Sequence, residues 1–178
     1  MRETDYLKEN QKVMSLLRRI EKFKPFTDDD LRSFLDLGKL REYEPGEVII
    51  KEGDLDCWVY FLISGEVKIV KQGKDVLVLR RSGDLFGEMG VIDGAPRSAT
   101  IWARSKTMAL GVDCSLFDRK QKTNDLAFCY TIYRLFAEVL ADRLRLTTEA
   151  MAKLQAELQK KEALLKSLAP GDDKTLWV

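Results

Sequence analysis

The chain has 178 residues, 45% hydrophobic and 33% charged, with 30 basic against 29 acidic side chains and no histidine. That length suits one domain, or one domain with an extension, and the apolar share excludes an intrinsically disordered chain. A net charge of +1 provides no global field for a polyanion such as nucleic acid, and the missing imidazole removes the usual base near neutral pH, the Ser-His and Cys-His nucleophile pairs and the commonest metal ligand.

Residues 1–42 read as N-terminal helices. Val13, Leu16, Leu17, Ile20 and Phe23 recur at helical spacing, and Thr27-Asp28-Asp29-Asp30 precedes Leu31, Phe34, Leu35 and Leu37. Thr27 suits an N-cap, the aspartates suit the positive end of the helix dipole, and Gly38 is the expected stop. Lys12, Arg18, Arg19 and Lys22 beside the first apolar stripe make it a possible docking face for a partner.

Residues 43–115 change texture. Gly46, Gly53, Gly65, Gly73 and Gly83 punctuate short β-branched and aromatic runs, at intervals of 7 to 12 residues. That rhythm predicts strands near 47–51, 57–63, 66–71, 75–81, 99–104 and 107–113. Val67 and Ile69 alternate, as do Ala99, Ile101 and Ala103, so each strand shows one face to a core. An α+β fold is expected, its centre a jelly-roll-like β-barrel of the double-stranded β-helix kind.

Residues 116–168 lack glycine and predict a long helix from about 124 to 168. A heptad seam runs through Leu126, Tyr130, Tyr133, Ala137, Leu140, Leu144, Thr147, Met151, Leu154, Leu158, Lys161, Leu165 and Leu168. The first half can lie on its own barrel. Beyond Thr148 the helix is too polar for that, so a parallel two-stranded coiled coil is expected, making a homodimer through residues 126–168. Pro170 and Gly171 break the helix, and the tail 169–178 is expected to be disordered. Cys57, Cys114 and Cys129 fit neither a metal-site spacing nor a disulfide framework and read as reduced, packed thiols. No apolar run reaches the ~20 residues of a membrane helix, and Met1 to Asp5 open no signal peptide, so the expected location is the cytoplasm, without membrane.

One segment, residues 86–99, offers binding chemistry: Phe86-Gly87-Glu88-Met89-Gly90-Val91-Ile92-Asp93-Gly94-Ala95-Pro96-Arg97-Ser98-Ala99. Gly87, Gly90 and Gly94 allow close backbone approach, and a helical turn starting near Gly87 aims N–H groups at an anion. Arg97 supplies a fork for two phosphate oxygens, Ser98 a hydroxyl, and Glu88 an acceptor for a pair of sugar hydroxyls. On residue type alone, a second reading stands beside this one, in which Glu88 and Arg97 form an internal ion pair closing a loop.

The order Phe-Gly-Glu-Met-Gly-Val-Ile followed by Pro-Arg-Ser-Ala closely resembles the phosphate-binding cassette of the cyclic nucleotide-binding domain family. Tyr43 to Ile49, Glu52-Gly53-Asp54 and Phe61 to Val67 resemble the family's first strand, turn and central hairpin, so that about residues 15–148 are covered. The resemblance implies that Glu88 accepts from the ribose 2′-hydroxyl, that Arg97 grips the cyclic phosphate, and that Ser98 with N–H groups near Gly87, Met89 and Ala99 completes the cradle. Arg143 to Glu149 resembles the stretch with which catabolite activator-like proteins contact adenine, which places Thr147 and Thr148 at that contact. Ser98 leans towards cyclic AMP over cyclic GMP.

After Leu168 only ten residues follow, too few for the helix-turn-helix of such activators, and no DNA partner is expected. The expected protein is a stand-alone, non-enzymatic cyclic nucleotide sensor, with no catalytic residues, no metal and no cofactor beyond its ligand, acting in trans on an unidentified protein partner. Two alternatives remain: a coiled-coil interaction module with a silent pocket, and a regulatory subunit of a larger signalling complex.

Overall fold

The computed structural model describes residues 2–4, 11–116 and 126–168 and divides into two compact units, Met1–Phe136 and Ala137–Val178. The tail at 169–178 and the helix start expected at 124 lie outside the described residues.

In the first unit, helix α1 (Gln11–Arg19) leads through a 3-10 turn to α2 (Asp28–Asp36). A capping box opens α2: the Asp30 N–H donates to Thr27 Oγ1 at 3.2 Å and the Thr27 N–H to Asp30 Oδ2 at 2.8 Å. The apolar stripe of α1 faces the core: Val13, Leu17 and Ile20 are all buried, and Arg18 is paired with Asp28. That packing takes up the apolar side chains themselves and leaves Arg18 and Arg19 exposed beside them.

The nine strands among the described residues, the first of them ahead of α1, form two hydrogen-bonded sheets. β1 (Arg2–Thr4), β2 (Gly38–Tyr43), β4 (Trp58–Ser64), β7 (Leu85–Phe86) and β9 (Thr107–Asp113) make one, in the order β1-β2-β9-β4-β7. β3 (Val48–Ile50), β5 (Val67–Lys71), β6 (Lys74–Leu79) and β8 (Thr100–Ala103) make the other, in the order β3-β8-β5-β6. The described pairings are antiparallel. They form two sheets, the arrangement of a jelly roll, and no pairing among the described residues closes them into one ring.

All six expected strands are present. β1, β2 and β7 were not expected, β2 because Gly38 reads as a helix stop. The helix does stop there, capped by Leu37, and Gly38 also begins a strand, where a Cβ would lie 2.8 Å from the Phe34 carbonyl and 2.9 Å from Leu110. Glycine is needed there for the close crossing of helix and sheet.

Strand β4 carries packing on both faces. Tyr60 and Leu62 join Ile50, Val67, Leu79, Phe86, Ile101 and Ala109 between the sheets. Phe61 points the other way, its ring 4.9 Å from Phe23 and 5.7 Å from Phe34, in pairs that contribute about 0.5–1.5 kcal/mol each beyond burial. The β4·β9 ladder runs to Trp58 opposite Asp113 and one step further, with the Cys114 N–H donating to the Cys57 carbonyl at 2.9 Å.

Helix α4 (Leu126–Leu168) crosses from the first unit into the second. In the first unit Cys129, Ile132, Leu135 and Phe136 are buried, while the heptad residues Tyr130 and Tyr133 are exposed. The buried stripe is thus the neighbour of the heptad seam. In the second unit Leu144, Met151, Leu154, Leu158 and Leu165 are all exposed. No helix among the described residues is long and apolar enough to cross a membrane.

Candidate functional site

The segment 86–99 begins on β7 and ends at β8. Gly87 holds a left-handed backbone (φ 86°) and caps α3 (Glu88–Asp93), and Gly94, also left-handed (φ 66°), ends it. A helical turn after Gly87 is therefore present. A Cβ on Gly87 would lie 2.9 Å from Ile50 Cδ1 and 3.0 Å from both Arg97 Nη1 and the Trp58 carbonyl, so any larger residue would be strained and crowded at once.

The loop between β3 and β4 zips onto the end of this segment. The Gly53 N–H donates to the Arg97 carbonyl and the Arg97 N–H to the Asp54 carbonyl, both at 2.9 Å, and the Glu52 N–H donates to Thr100 Oγ1 at 3.0 Å. The Arg97 main chain is thus held by contacts separate from those of its side chain.

That side chain is 3% exposed, and burying a guanidinium requires partners for its charge and its donors. Nε donates to Asp56 Oδ2 at 3.1 Å. Nη2 donates to Asp56 Oδ1 and to the Trp58 carbonyl, and Nη1 to the Gly87 carbonyl. The carboxylate in bidentate contact with Arg97 is thus Asp56, which sequence reasoning did not single out. A signal existed: Glu52, Asp54 and Asp56 make the turn acidic, and a buried arginine needs a counter-ion. Burial works against the charged form of Asp56, but hydrogen bonds from Arg97 and from the Trp58 N–H, together with the Arg97 and Arg41 charges, hold its carboxyl below the usual range. Behind the pair, the Arg41 guanidinium stacks over the Trp58 ring at 4.0 Å and donates to Tyr60 Oη at 2.6 Å.

The remaining residues singled out in the sequence fall into two places. Glu88 is 1% exposed and is engaged by its surroundings, with Oε2 accepting no hydrogen bond among the described residues. Ser98 and Met89 are exposed and adjacent, Ser98 Oγ lying 3.7 Å from the Met89 sulfur, and Ala99 is half-buried. The structure brings Gly87, Glu88, Met89, Arg97, Ser98 and Ala99 into one segment. Thr147 and Thr148 belong to the second unit, both exposed on α4.

Residues 40–124 match the cyclic nucleotide-binding domain. A cGMP-dependent protein kinase of Toxoplasma gondii is 39% identical over 80 residues, 45% of this chain and 8% of that protein. A cAMP-dependent protein kinase regulatory subunit of Schizosaccharomyces pombe is 35% identical over 77 residues, 43% of this chain and 19% of its own length. The chain spans less than a fifth of either relative. A solved cyclic nucleotide-binding domain from Methylobacillus flagellatus has the same fold, with a TM-score of 0.64 and 21% identity over 75% of this chain and 77% of that one.

Proposed function

We propose, for a chain whose residues 40–124 belong to the cyclic nucleotide-binding domain family, that segment 86–99 binds a cyclic nucleotide and that the protein is a sensor. The observation that carries this is the buried Arg97 guanidinium, held in bidentate contact with a carboxylate beside the Gly87 turn. A group that grips two oxygens of Asp56 can grip two oxygens of a phosphate, provided Asp56 yields.

In this reading the cyclic phosphate meets Arg97, Ser98 Oγ and the N–H groups near Gly87, Met89 and Ala99, while Glu88 accepts from the ribose 2′-hydroxyl. Thr147 and Thr148 engage the base across a homodimer seam formed by residues 126–168. The exposed heptad side chains of α4 support that seam, since their spacing fits a second copy of the same helix. Cyclic AMP is favoured over cyclic GMP on Ser98 and the threonines, and the relatives' names include both nucleotides. Ligand binding alters the dimer and, through it, a protein partner. No catalytic role is assigned to the domain. The finer claims, that the chain works alone, in the cytoplasm and in trans, belong to the same proposal.

A second reading has its own observation. Arg97 is already satisfied by Asp56 and two carbonyls, which suits a silent pocket in a coiled-coil interaction module. Isothermal titration of nucleotide-stripped protein separates the two. Heat with cyclic AMP at micromolar affinity, about −8 kcal/mol, with one ligand per chain and weaker cyclic GMP binding, is expected for the sensor. Absence of heat with both nucleotides overturns it.

A further inference from the structure

We propose that Cys57 and Cys114 form a dithiol site that a hydroperoxide closes into an intrachain disulfide, beside the carboxylate that holds Arg97. Although 57 residues apart in sequence, they continue the β4·β9 ladder. Trp58 lies opposite Asp113 and Val59 opposite Val112, so the next step sets Cys57 opposite Cys114, and the hydrogen bond from the Cys114 N–H to the Cys57 carbonyl, 2.9 Å, fixes that pairing. Residues directly opposite on antiparallel strands project from the same face. Hydrogen-bonded pairs of this kind have Cα atoms about 5.5 Å apart, within the span of about 4.4–6.8 Å that a disulfide bridges.

The two thiols also differ as a reacting pair should. Cys57 is exposed and Cys114 is buried, so one meets the oxidant and the other waits behind it. Burial pushes the Cys114 thiol up, which leaves Cys57 to react first. Its thiolate attacks a peroxide oxygen and the O–O bond breaks, yielding a sulfenic acid on Cys57 and one molecule of water or alcohol. Cys114 Sγ then attacks the Cys57 sulfur. The S–S bond forms as the S–O bond breaks, and the leaving hydroxide carries away the Cys114 proton as water. Both thiols together supply two electrons, and the peroxide takes both.

Cys57 lies between the two residues that engage Arg97. Asp56 supplies the carboxylate and Trp58 a carbonyl. A disulfide at Cys57 ties this strand entry to β9 and opposes the release of Asp56. On the reading of Arg97 as the phosphate partner, the oxidised protein then binds cyclic AMP about five-fold or more weakly, within the usual range of couplings between sites.

The test treats the reduced full chain with hydrogen peroxide, blocks remaining thiols, and reads intact mass and a non-reducing peptide map. The expected product is lighter by two hydrogens, carries one blocked thiol at Cys129, contains a peptide joining residues 57 and 114, and reverts with a thiol reductant. C57S and C114S each lose it and C129S keeps it. A link from Cys114 to Cys129, a link between two chains, or addition of oxygen to Cys57 without any link overturns the site. The disulfide is read without nucleotide, so its failure is distinct from failure of the sensor reading. Equal cyclic AMP affinity of the oxidised and reduced forms overturns the coupling alone.

Discussion

Arg97 and Asp56, 41 residues apart in the chain, face each other as a guanidinium and a carboxylate in bidentate contact, with the arginine side chain 3% and the aspartate side chain 37% exposed. The cation is sealed in and the anion keeps one side to water. Asp56 is therefore the member of the pair that can leave.

Arg97→Lys keeps the charge but removes the planar fork, and a single ammonium cannot reproduce bonds to two carboxylate oxygens and two carbonyls. Cyclic AMP affinity is expected to fall about 10- to 100-fold, the loss of one charge-assisted hydrogen bond or a little more. Titration calorimetry checks this, with circular dichroism to verify the fold. Arg97→Leu is the poorer test, because it leaves the Gly87 and Trp58 carbonyls without their donor.

Asp56→Asn leaves a buried guanidinium without its counter-ion. The ligand-free protein should lose about 1–3 kcal/mol, measured by urea unfolding. A bound phosphate restores the missing negative charge, so saturating cyclic AMP should raise the melting temperature of this variant by more than that of the parent. An equal or smaller rise would mean that Asp56 does not stand where the phosphate goes.

The same pair sets a pH dependence. The Asp56 carboxyl is held below its usual range, so its contribution to stability is complete above the unfolded value of about 3.9 and is lost as pH falls through the lowered folded value. The stability gap between the parent and Asp56→Asn should be constant from neutral pH to about pH 5 and close below about pH 4. Parallel thermal melts across that range provide the comparison.

Gly87→Ala combines a left-handed backbone with a Cβ 2.9 Å from Ile50 and 3.0 Å from Arg97 and the Trp58 carbonyl. The backbone alone costs about 1–2 kcal/mol, and the crowding adds to it. A total loss near or above about 2 kcal/mol is expected, with weakened nucleotide binding. Gly94→Ala, left-handed but with open space around its Cβ, should show the backbone cost only.

Leu158 is an exposed heptad residue of α4. Leu158→Glu should weaken self-association at least tenfold in sedimentation equilibrium while leaving helix content unchanged, because a charge on the seam meets its own copy. Lys160→Glu, two residues away and off the seam, should leave association as it is. If both variants sediment like the parent, the exposed stripe is not the contact between copies.

The glycines of segment 86–99 are legible in the sequence because a positive φ is a local demand that glycine alone meets cheaply, and both Gly87 and Gly94 take one. The N-cap at Thr27 is legible for the same reason, since the side chain and the N–H group it caps lie within one turn. Asp56 is not, because three acidic residues lie in its turn and only the folded chain selects which of them meets Arg97. Strand β7 is two residues long, below any periodicity. The heptad repeat of α4 conceals a second stripe through Cys129, Ile132, Leu135 and Phe136, since a strong repeat on one face masks a short one beside it. Cys57 and Cys114 read as unrelated thiols because strand register is a property of two segments and not of either.

Strand β4 is buried at five consecutive positions, Val59 to Ile63. Because alternate side chains serve opposite layers, no position in that stretch offers an outward site where variation is cheap. A saturation library over these residues should return almost nothing but apolar replacements of similar volume. The same library over 144–166, where every described side chain is exposed, should tolerate nearly everything except change along one line of side chains, and that line would reveal which face of the helix is in use.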